Sequence, residues 1–301
     1  FRQNAESQLL EMIYQLYNHP SIFTWGLWNE IKIRYPETMG DPAPQVAELH
    51  ALARAADPTR PTIGSAFLPS SEIPGLLDAS DLIAWNLYPG WYGPRTPAVM
   101  AEHLADRLGK SGHASIGVSE YGAGASIHQH EDWSTLQKPV NDGVWHPEEY
   151  QALFHEITWP IIASTDRVWG SFVWNMFDFA ADHRDEGDRP GINDKGLVTH
   201  DRSVRKDAYF FYQAAWTDTP VVHLTSRRYH PRPAGASTLK VYSNAESVVL
   251  FLDGQSLGQG DRDGVVHLWE GVDLPVGEVE VRAVGAFGEE RVADFIVWTT
   301  E

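Results

Sequence analysis

Up to about residue 217 this chain repeats one pattern: a stretch with helical periodicity, then an apolar run of strand length that ends abruptly in polar side chains. The first cycle is the clearest. Leu9, Leu10, Ile13, Leu16 and Tyr17 recur at helical spacing over residues 1–17, and Pro20 turns His19 away from the helix. Ile22-Phe23-Thr24-Trp25-Gly26-Leu27-Trp28 follows as a nearly continuous apolar run, the pattern of a strand buried on both faces, and stops at Asn29-Glu30. Helices are predicted again at 42–56, 71–78, 97–110 and 147–164, each ahead of an apolar run at 61–67, 81–88, 114–120 and 168–174, and a last helix is predicted at 203–216. Alternating helices and strands imply βαβ units and a parallel sheet. Five such strands fit either part of a (β/α)8 barrel or a doubly wound sheet.

Beyond about residue 220 the period changes. Short alternating runs at 239–242, 247–252, 265–269, 279–284 and 293–298 are separated by turn residues, and Asp253-Gly254 is a hairpin signal. The expected fold class is therefore α/β plus all-β: a catalytic α/β portion over 1–217, then an antiparallel sandwich over 218–301 of roughly 80 residues, immunoglobulin-like in size. The sandwich carries no evident site. Trp269 reads as core, and the expected role is support.

Charge and composition narrow the partners. Twenty-three basic against 41 acidic residues leave a net charge of −18 with no basic stripe, a field that repels a nucleic-acid backbone. No apolar run approaches the length of a membrane span. The absence of cysteine excludes disulfides and thiolate chemistry and is compatible with cytoplasm and periplasm alike. The chain has 12 tryptophans, several beside acidic or amide residues. Aromatic faces next to carboxylates suit a pyranose, which has an apolar C–H face and a hydroxyl rim, although core packing claims most such rings.

Polar residues of the α/β portion concentrate where strands end: Asn29-Glu30, Asn86 with Tyr88, Ser119-Glu120 and Trp174-Asn175. That edge is where a (β/α)8 barrel builds its active site. A doubly wound sheet also binds ligands there, but favours a Gly-rich phosphate loop that this sequence lacks. Two glutamates facing one pocket are the minimum apparatus for glycoside hydrolysis, one protonated to assist the departing oxygen and the other ionised to attack or to activate water. Glu30 and Glu120, each ending an apolar run, are the candidates.

Here the motifs carry a resemblance. Asn18-His19-Pro20-Ser21-Ile22 followed by Trp25-Gly26-Leu27-Trp28-Asn29-Glu30 resembles the acid/base signature of glycoside hydrolase family 2. Ser119-Glu120-Tyr121-Gly122 resembles its nucleophile segment. Trp174-Asn175-Met176-Phe177-Asp178-Phe179, Asn193-Asp194-Lys195-Gly196-Leu197-Val198 and Arg205-Lys206-Asp207-Ala208-Tyr209 resemble its eighth-strand region, the loop after it and the next helix entry. The resemblance covers essentially the whole chain. It implies that the strands ending at Glu30 and Glu120 are the fourth and seventh of a (β/α)8 TIM barrel. It also implies a retaining mechanism through a covalent glycosyl-enzyme, with Glu120 as nucleophile and Glu30 as acid/base. Asn29 would hold the sugar 2-hydroxyl, Asn86 would join the substrate contacts, Tyr88 would hydrogen-bond the nucleophile, and Trp174 would wall the subsite.

The sugar is expected to be a β-linked galactoside, because the Phe-Asp-Phe stretch and the acidic loop before Asn193 are similar to bacterial β-galactosidases. The alternative is a glucuronide, since Asn193-x-Lys195-Gly196 also resembles the carboxylate-reading element of β-glucuronidases. Asp182, Asp185, Glu186 and Asp188 lack regular calcium-loop spacing, and Arg184 and Arg189 can pair with them, so a solvated loop is expected. The sequence requires no cofactor. Some family members bind a divalent cation near the acid/base, and its further ligands would lie upstream of Phe1.

Phe1 opens directly into a helical pattern, with neither an initiator Met nor a signal peptide, so a cut within a larger protein is expected. Five strands of eight leave open edges; a chain of this extent alone is expected to be inactive and to self-associate, a homo-oligomer being one outcome. Two readings of another class stand beside the enzyme, a noncatalytic carbohydrate-binding module and a structural assembly of half-barrels.

Overall fold

A computed structural model describes residues 1–31 and 40–301. They group into two compact units interleaved along the chain: Phe1–Pro89, Ala98–Tyr121 and Pro160–Val173 form one, and Gly90–Pro97, Gly122–Trp159 and Trp174–Glu301 the other.

The first unit is built on five strands, β1 (Trp25–Asn29), β2 (Thr62–Ala66), β3 (Leu82–Asn86), β4 (Ile116–Tyr121) and β5 (Val168–Val173). All pair in parallel, in the order β1-β2-β3-β4-β5. Neighbours in space are neighbours in sequence, so every crossover steps the same way. A doubly wound sheet steps back at a switch point. This settles the architecture left open by periodicity: the sheet is part of a (β/α)8 barrel. It is also curled. A flat sheet would hold its outer strands roughly 19 Å apart. Instead Phe23, just before β1, stacks on Phe172 of β5 with ring centroids 6.3 Å apart and meets the Trp169 ring edge-on, also at 6.3 Å.

The helices of this unit are α1 (Arg2–Leu16), α2 (Ala43–Ala56) and α3 (Met100–Ser111). Leu9 and Ile13 of α1 and Leu49 and Ala53 of α2 enclose Trp25, so the helical periodicity of the first cycle has its physical purpose in covering β1. The entry to β1 is held by Arg60. Its guanidinium donates to the carbonyls of Tyr17 (2.7 Å) and Ile22 (2.8 Å) and to Asp57 Oδ2 (2.7 Å), which also accepts Trp25 Nε1–H at 2.9 Å. One expected helix is absent. Residues 71–78 form turns after a short 3-10 segment, Leu68–Glu72, because Pro74 and Gly75, the latter at φ +74°, break a helix there. Leu76 and Leu77 bury their side chains from that turn.

In the second unit, α4 (Glu148–Ala163) begins, and a two-stranded sheet pairs β6 (Phe179–Ala180) with β7 (Ile192–Asn193). Helix α5 (Asp207–Trp216) precedes β8 (Val222–Leu224). Then come β9 (Gly235–Ser243), β10 (Ser247–Leu252), β11 (Gln255–Gln259), β12 (Asp261–Asp263), β13 (Val266–Leu274), β14 (Gly277–Phe287) and β15 (Glu290–Thr300). They make two four-stranded sheets, β11-β10-β14-β15 and β12-β13-β9-β8. Leu239, Val248, Trp269, Val281 and Trp298 belong to the core of this β-sandwich. Asp253 and Gly254 both take positive φ, as a tight hairpin between β10 and β11 demands. Strands β8 and β12, three residues each, are too short to leave an alternating signature.

Gly122 is fixed by sterics. A Cβ there would lie 2.0 Å from the carbonyl oxygen of Trp174. Backbone cannot yield as a side chain can, so Gly122→Ala is expected to destabilise by about 1–3 kcal/mol. A drop in thermal midpoint checks this.

Candidate active site

In the first unit, β1, β3 and β4 deliver their terminal polar residues to one hydrogen-bonded cluster. Register shifts at Trp85/Asn86 and between Val118 and Tyr121 re-aim the strand ends, as bulges near sites do. Asn86 is the hub. Its Nδ2 donates to Glu30 Oε1 (2.9 Å) and to Asn29 Oδ1 (3.0 Å), and its Oδ1 accepts from Ser119 Oγ (2.6 Å). Both amide hydrogens are thereby committed within the protein. Glu30 itself sits at φ +47°, a left-handed conformation that a non-glycine residue adopts at a cost, while its N–H donates to the Ser65 carbonyl at 2.9 Å.

Glu120 Oε2 accepts the Tyr88 hydroxyl hydrogen at 2.7 Å. Burial pushes the Glu120 carboxyl up to about 7; the Tyr88 hydrogen bond opposes this, the Glu30 charge adds to it, and Asn86 opposes it. Burial therefore dominates, and the Tyr88 hydroxyl is the strongest force keeping the carboxylate form accessible. Of the residues named from sequence, Asn29, Glu30, Asn86, Tyr88 and Glu120 are thus brought together. Ser119 joins them; its place beside Glu120 at a strand end was the available signal.

Asn193, Lys195 and Trp174 belong to the second unit. Asn193 ends β7, and its Oδ1 accepts the Lys195 N–H at 3.2 Å, closing a tight turn. The Lys195 side chain is 1 % exposed. Its Nζ lies 3.7 Å from Glu186 Oε1, 5.1 Å from the Trp91 ring centroid and 5.5 Å from that of Tyr92. Among the described residues it donates no hydrogen bond. An ammonium shielded from water with its donors uncommitted is costly unless something accepts them. Glu186, expected in solvent with its acidic neighbours, is instead buried and bonded to Arg184 at 2.6 Å, because Lys195 and Arg184 together compensate its charge. Lys206 contrasts with Lys195: buried too, its Nζ donates to Ala125 O, Asp178 Oδ1 and Asp194 O at 2.7–2.8 Å, and is saturated. Trp174 is half-buried, meets Phe179 edge-on at 5.7 Å, and joins Asn175 through a cis peptide. Among the described residues no three His, Asp or Glu side chains converge as a metal site, and no helix is long and apolar enough to cross a membrane.

A sequentially ordered parallel sheet of a (β/α)8 barrel, with paired glutamates on its strand ends, is the frame of many sugar-processing proteins. Residues 2–219 match the glycosyl hydrolases family 2 TIM barrel domain, and residues 235–292 a domain of unknown function. The chain belongs to glycoside hydrolase family 2. It is 46 % identical over 284 residues to a β-glucuronidase of Bacteroides fragilis, covering 94 % of this chain and 39 % of that protein. It is 22 % identical over 339 residues to a β-galactosidase of Bacteroides ovatus, covering 94 % and 37 %. It superposes with a TM-score of 0.87, at 32 % identity, on Bacteroides uniformis β-glucuronidase 2 covalently bound to cyclophellitol-6-carboxylate aziridine, covering all of this chain and 37 % of that one. The chain thus spans well under half the length of these relatives.

Proposed function

We propose that this chain carries the two catalytic carboxylates of a retaining β-glycosidase whose preferred substrate is a β-glucuronide. The observation that carries the choice of sugar is the buried Lys195 ammonium, held in the Asn193–Lys195 turn without a hydrogen-bond acceptor among the described residues. A uronate carboxylate supplies both the acceptor and the charge; a neutral 6-hydroxyl supplies only the first. The 46 % identity to a β-glucuronidase against 22 % to a β-galactosidase weighs the same way, and moves the reading from the galactoside favoured on sequence to its alternative.

In this reading Glu120 attacks the anomeric carbon while Glu30 protonates the departing glycosidic oxygen, so a C–O bond forms as another breaks. Glu30, now ionised, takes a proton from water, which displaces Glu120 and restores the β configuration. Asn29, whose Oδ1 is already engaged by Asn86, presents its N–H groups to the sugar 2-hydroxyl. Asn86, with both hydrogens committed, orients Glu30 and Asn29 instead of touching sugar. Trp174 walls the subsite. Residues 1–217 supply this chemistry as the second part of the barrel, and 218–301 support it.

Hydrolysis of 4-nitrophenyl β-glucuronide and β-galactoside by the protein carrying this chain tests the proposal. Preference for the glucuronide is expected; a galactosidase inert to glucuronide would overturn the choice of sugar. The pH profile gives a second prediction. Tyr88→Phe removes the largest force lowering the Glu120 pKa, so the carboxylate is lost at higher pH. A hydrogen bond to a charged group corresponds to a shift of roughly one pH unit. The acidic limb of kcat/KM is expected to move upward by that amount, and an unmoved limb would separate it from Glu120.

A further inference from the structure

His146 is fully buried in the second unit, against the edge of Trp91 with ring centroids 4.9 Å apart. Its Nδ1 lies 2.6 Å from Asp194 Oδ2 and its Nε2 3.2 Å from the carbonyl oxygen of Val140. Both partners can only accept. A neutral imidazole has one N–H, so only the imidazolium makes both bonds. The same logic recurs in this segment at His130, whose Nδ1 faces Glu149 Oε1 and whose Nε2 faces the Ile127 carbonyl, each at 3.1 Å.

What His146 holds is specific. Asp194 lies between Asn193 and Lys195 in the turn. Its own backbone carbonyl accepts from Ala125 N and Lys206 Nζ. Burial pushes the Asp194 carboxyl up, but the His146 hydrogen bond and charge, with Lys206 and Lys195, outweigh it and keep the group below the usual range. The loop bonded to His146 also reaches the other side of the Lys195 pair. Gly143 accepts the N–H of Gly187, the residue after Glu186, at 2.8 Å. One loop is therefore tied to the neighbour of Lys195 through the imidazolium and to the neighbour of Glu186 through backbone. Together those ties bracket the Lys195–Glu186 pair.

We propose that His146, as an imidazolium, is a positioning residue for carboxylate recognition: it clamps the Asn193–Lys195 turn to the 140–146 loop and so sets specificity for a uronic acid over a neutral sugar. This rests on the reading of Lys195 as the uronate-binding group. Loss of the proton breaks one of the two bonds, and the Lys195 ammonium is no longer held at its station. The charged groups around the clamp are Asp194, Lys195, Lys206 and Glu186.

The test compares wild type with His146→Gln and Asp194→Asn in the protein carrying this chain. Kinetics with 4-nitrophenyl β-glucuronide and a neutral 4-nitrophenyl β-glucoside are measured from pH 5 to 9, beside thermal midpoints and 15N NMR of the imidazole nitrogens. The expected result is a KM for glucuronide raised about 10- to 100-fold in both variants, with a far smaller change for the neutral sugar. The NMR is expected to show both His146 nitrogens protonated at pH 6. Equal losses on the two sugars in both variants, or a single protonated nitrogen at pH 6, would each overturn the proposal. A wild-type protein that ignores glucuronide overturns instead the Lys195 reading beneath it, while the NMR result still decides the state of His146.

Discussion

Glu120→Ala is expected to lower β-glucuronide turnover by a factor on the order of 10⁴ or more, with added azide restoring part of it by forming a glycosyl azide of α configuration. The stereochemistry follows from the face each carboxylate commands. With the nucleophile gone, azide enters the vacated space and displaces the β aglycone once, inverting the centre. Glu30→Ala is expected to give the mirror outcome. With a nitrophenolate leaving group, which departs without a proton, the glycosyl-enzyme on Glu120 still forms and then waits for a base. Azide needs none, attacks that α-linked intermediate, and yields the β-azide. The two variants are thus told apart by product and not by residual rate, which removal of either residue depresses. A β-azide from Glu120→Ala would exchange the two roles, and undiminished turnover would remove Glu120 from the chemistry. The aziridine bound covalently by the Bacteroides uniformis relative supplies a direct check: it is expected to label Glu120 in wild type and to leave Glu120→Gln unmodified.

Lys195→Met is expected to lower kcat/KM for a glucuronide by about 100-fold or more, the scale on which truncating one side of a buried charge pair acts. The same change should alter a neutral glycoside only slightly, so selectivity collapses. Met keeps the length and volume of the lysine stem beside Trp91 and Tyr92 and removes only the charge. Because Nζ donates no hydrogen bond among the described residues, little structural bonding is lost. The change does leave the buried Glu186 carboxylate to Arg184 alone, so the thermal midpoint should fall somewhat, while the loss of selectivity is the larger effect. A purely structural lysine would cost stability with no change of selectivity, and Lys206, whose three bonds join Ala125, Asp178 and Asp194, is the control. Lys206→Met should unfold the unit at lower temperature without favouring one sugar over another. A glucuronide rate untouched by Lys195→Met would discard the uronate reading.

Much of this was legible in the amino-acid sequence because it is local. The βα cycles follow from hydrophobic periodicity, and each apolar run ends where its polar residues begin, so Glu30, Glu120, Asn86 and Tyr88 could be picked out by position alone. The hairpin at Asp253-Gly254 was legible for the same reason. Where local preference competes with itself the reading fails, as at residues 71–78, where the helix expected from the repeating pattern is forbidden by Pro74 and Gly75.

What periodicity left open, the tertiary structure decided. Whether the strands step one way or reverse is a property of their spatial order, and only that order, β1 to β5 without a reversal, separates a barrel from a doubly wound sheet. Asn86 reads in sequence as one more polar strand end; its place as the hub of Glu30, Asn29 and Ser119 depends on three strands meeting in register. Lys195 and Lys206 are both lysines of the same stretch, and nothing in their spelling says that one ammonium is saturated with hydrogen bonds and the other, among the described residues, makes none. His146 and Asp194 meet across 48 residues of chain. The sequence by itself determined which residues can ionise, donate and accept. Burial and distance, which no local pattern encodes, decided which of those groups have partners and which are left for a ligand.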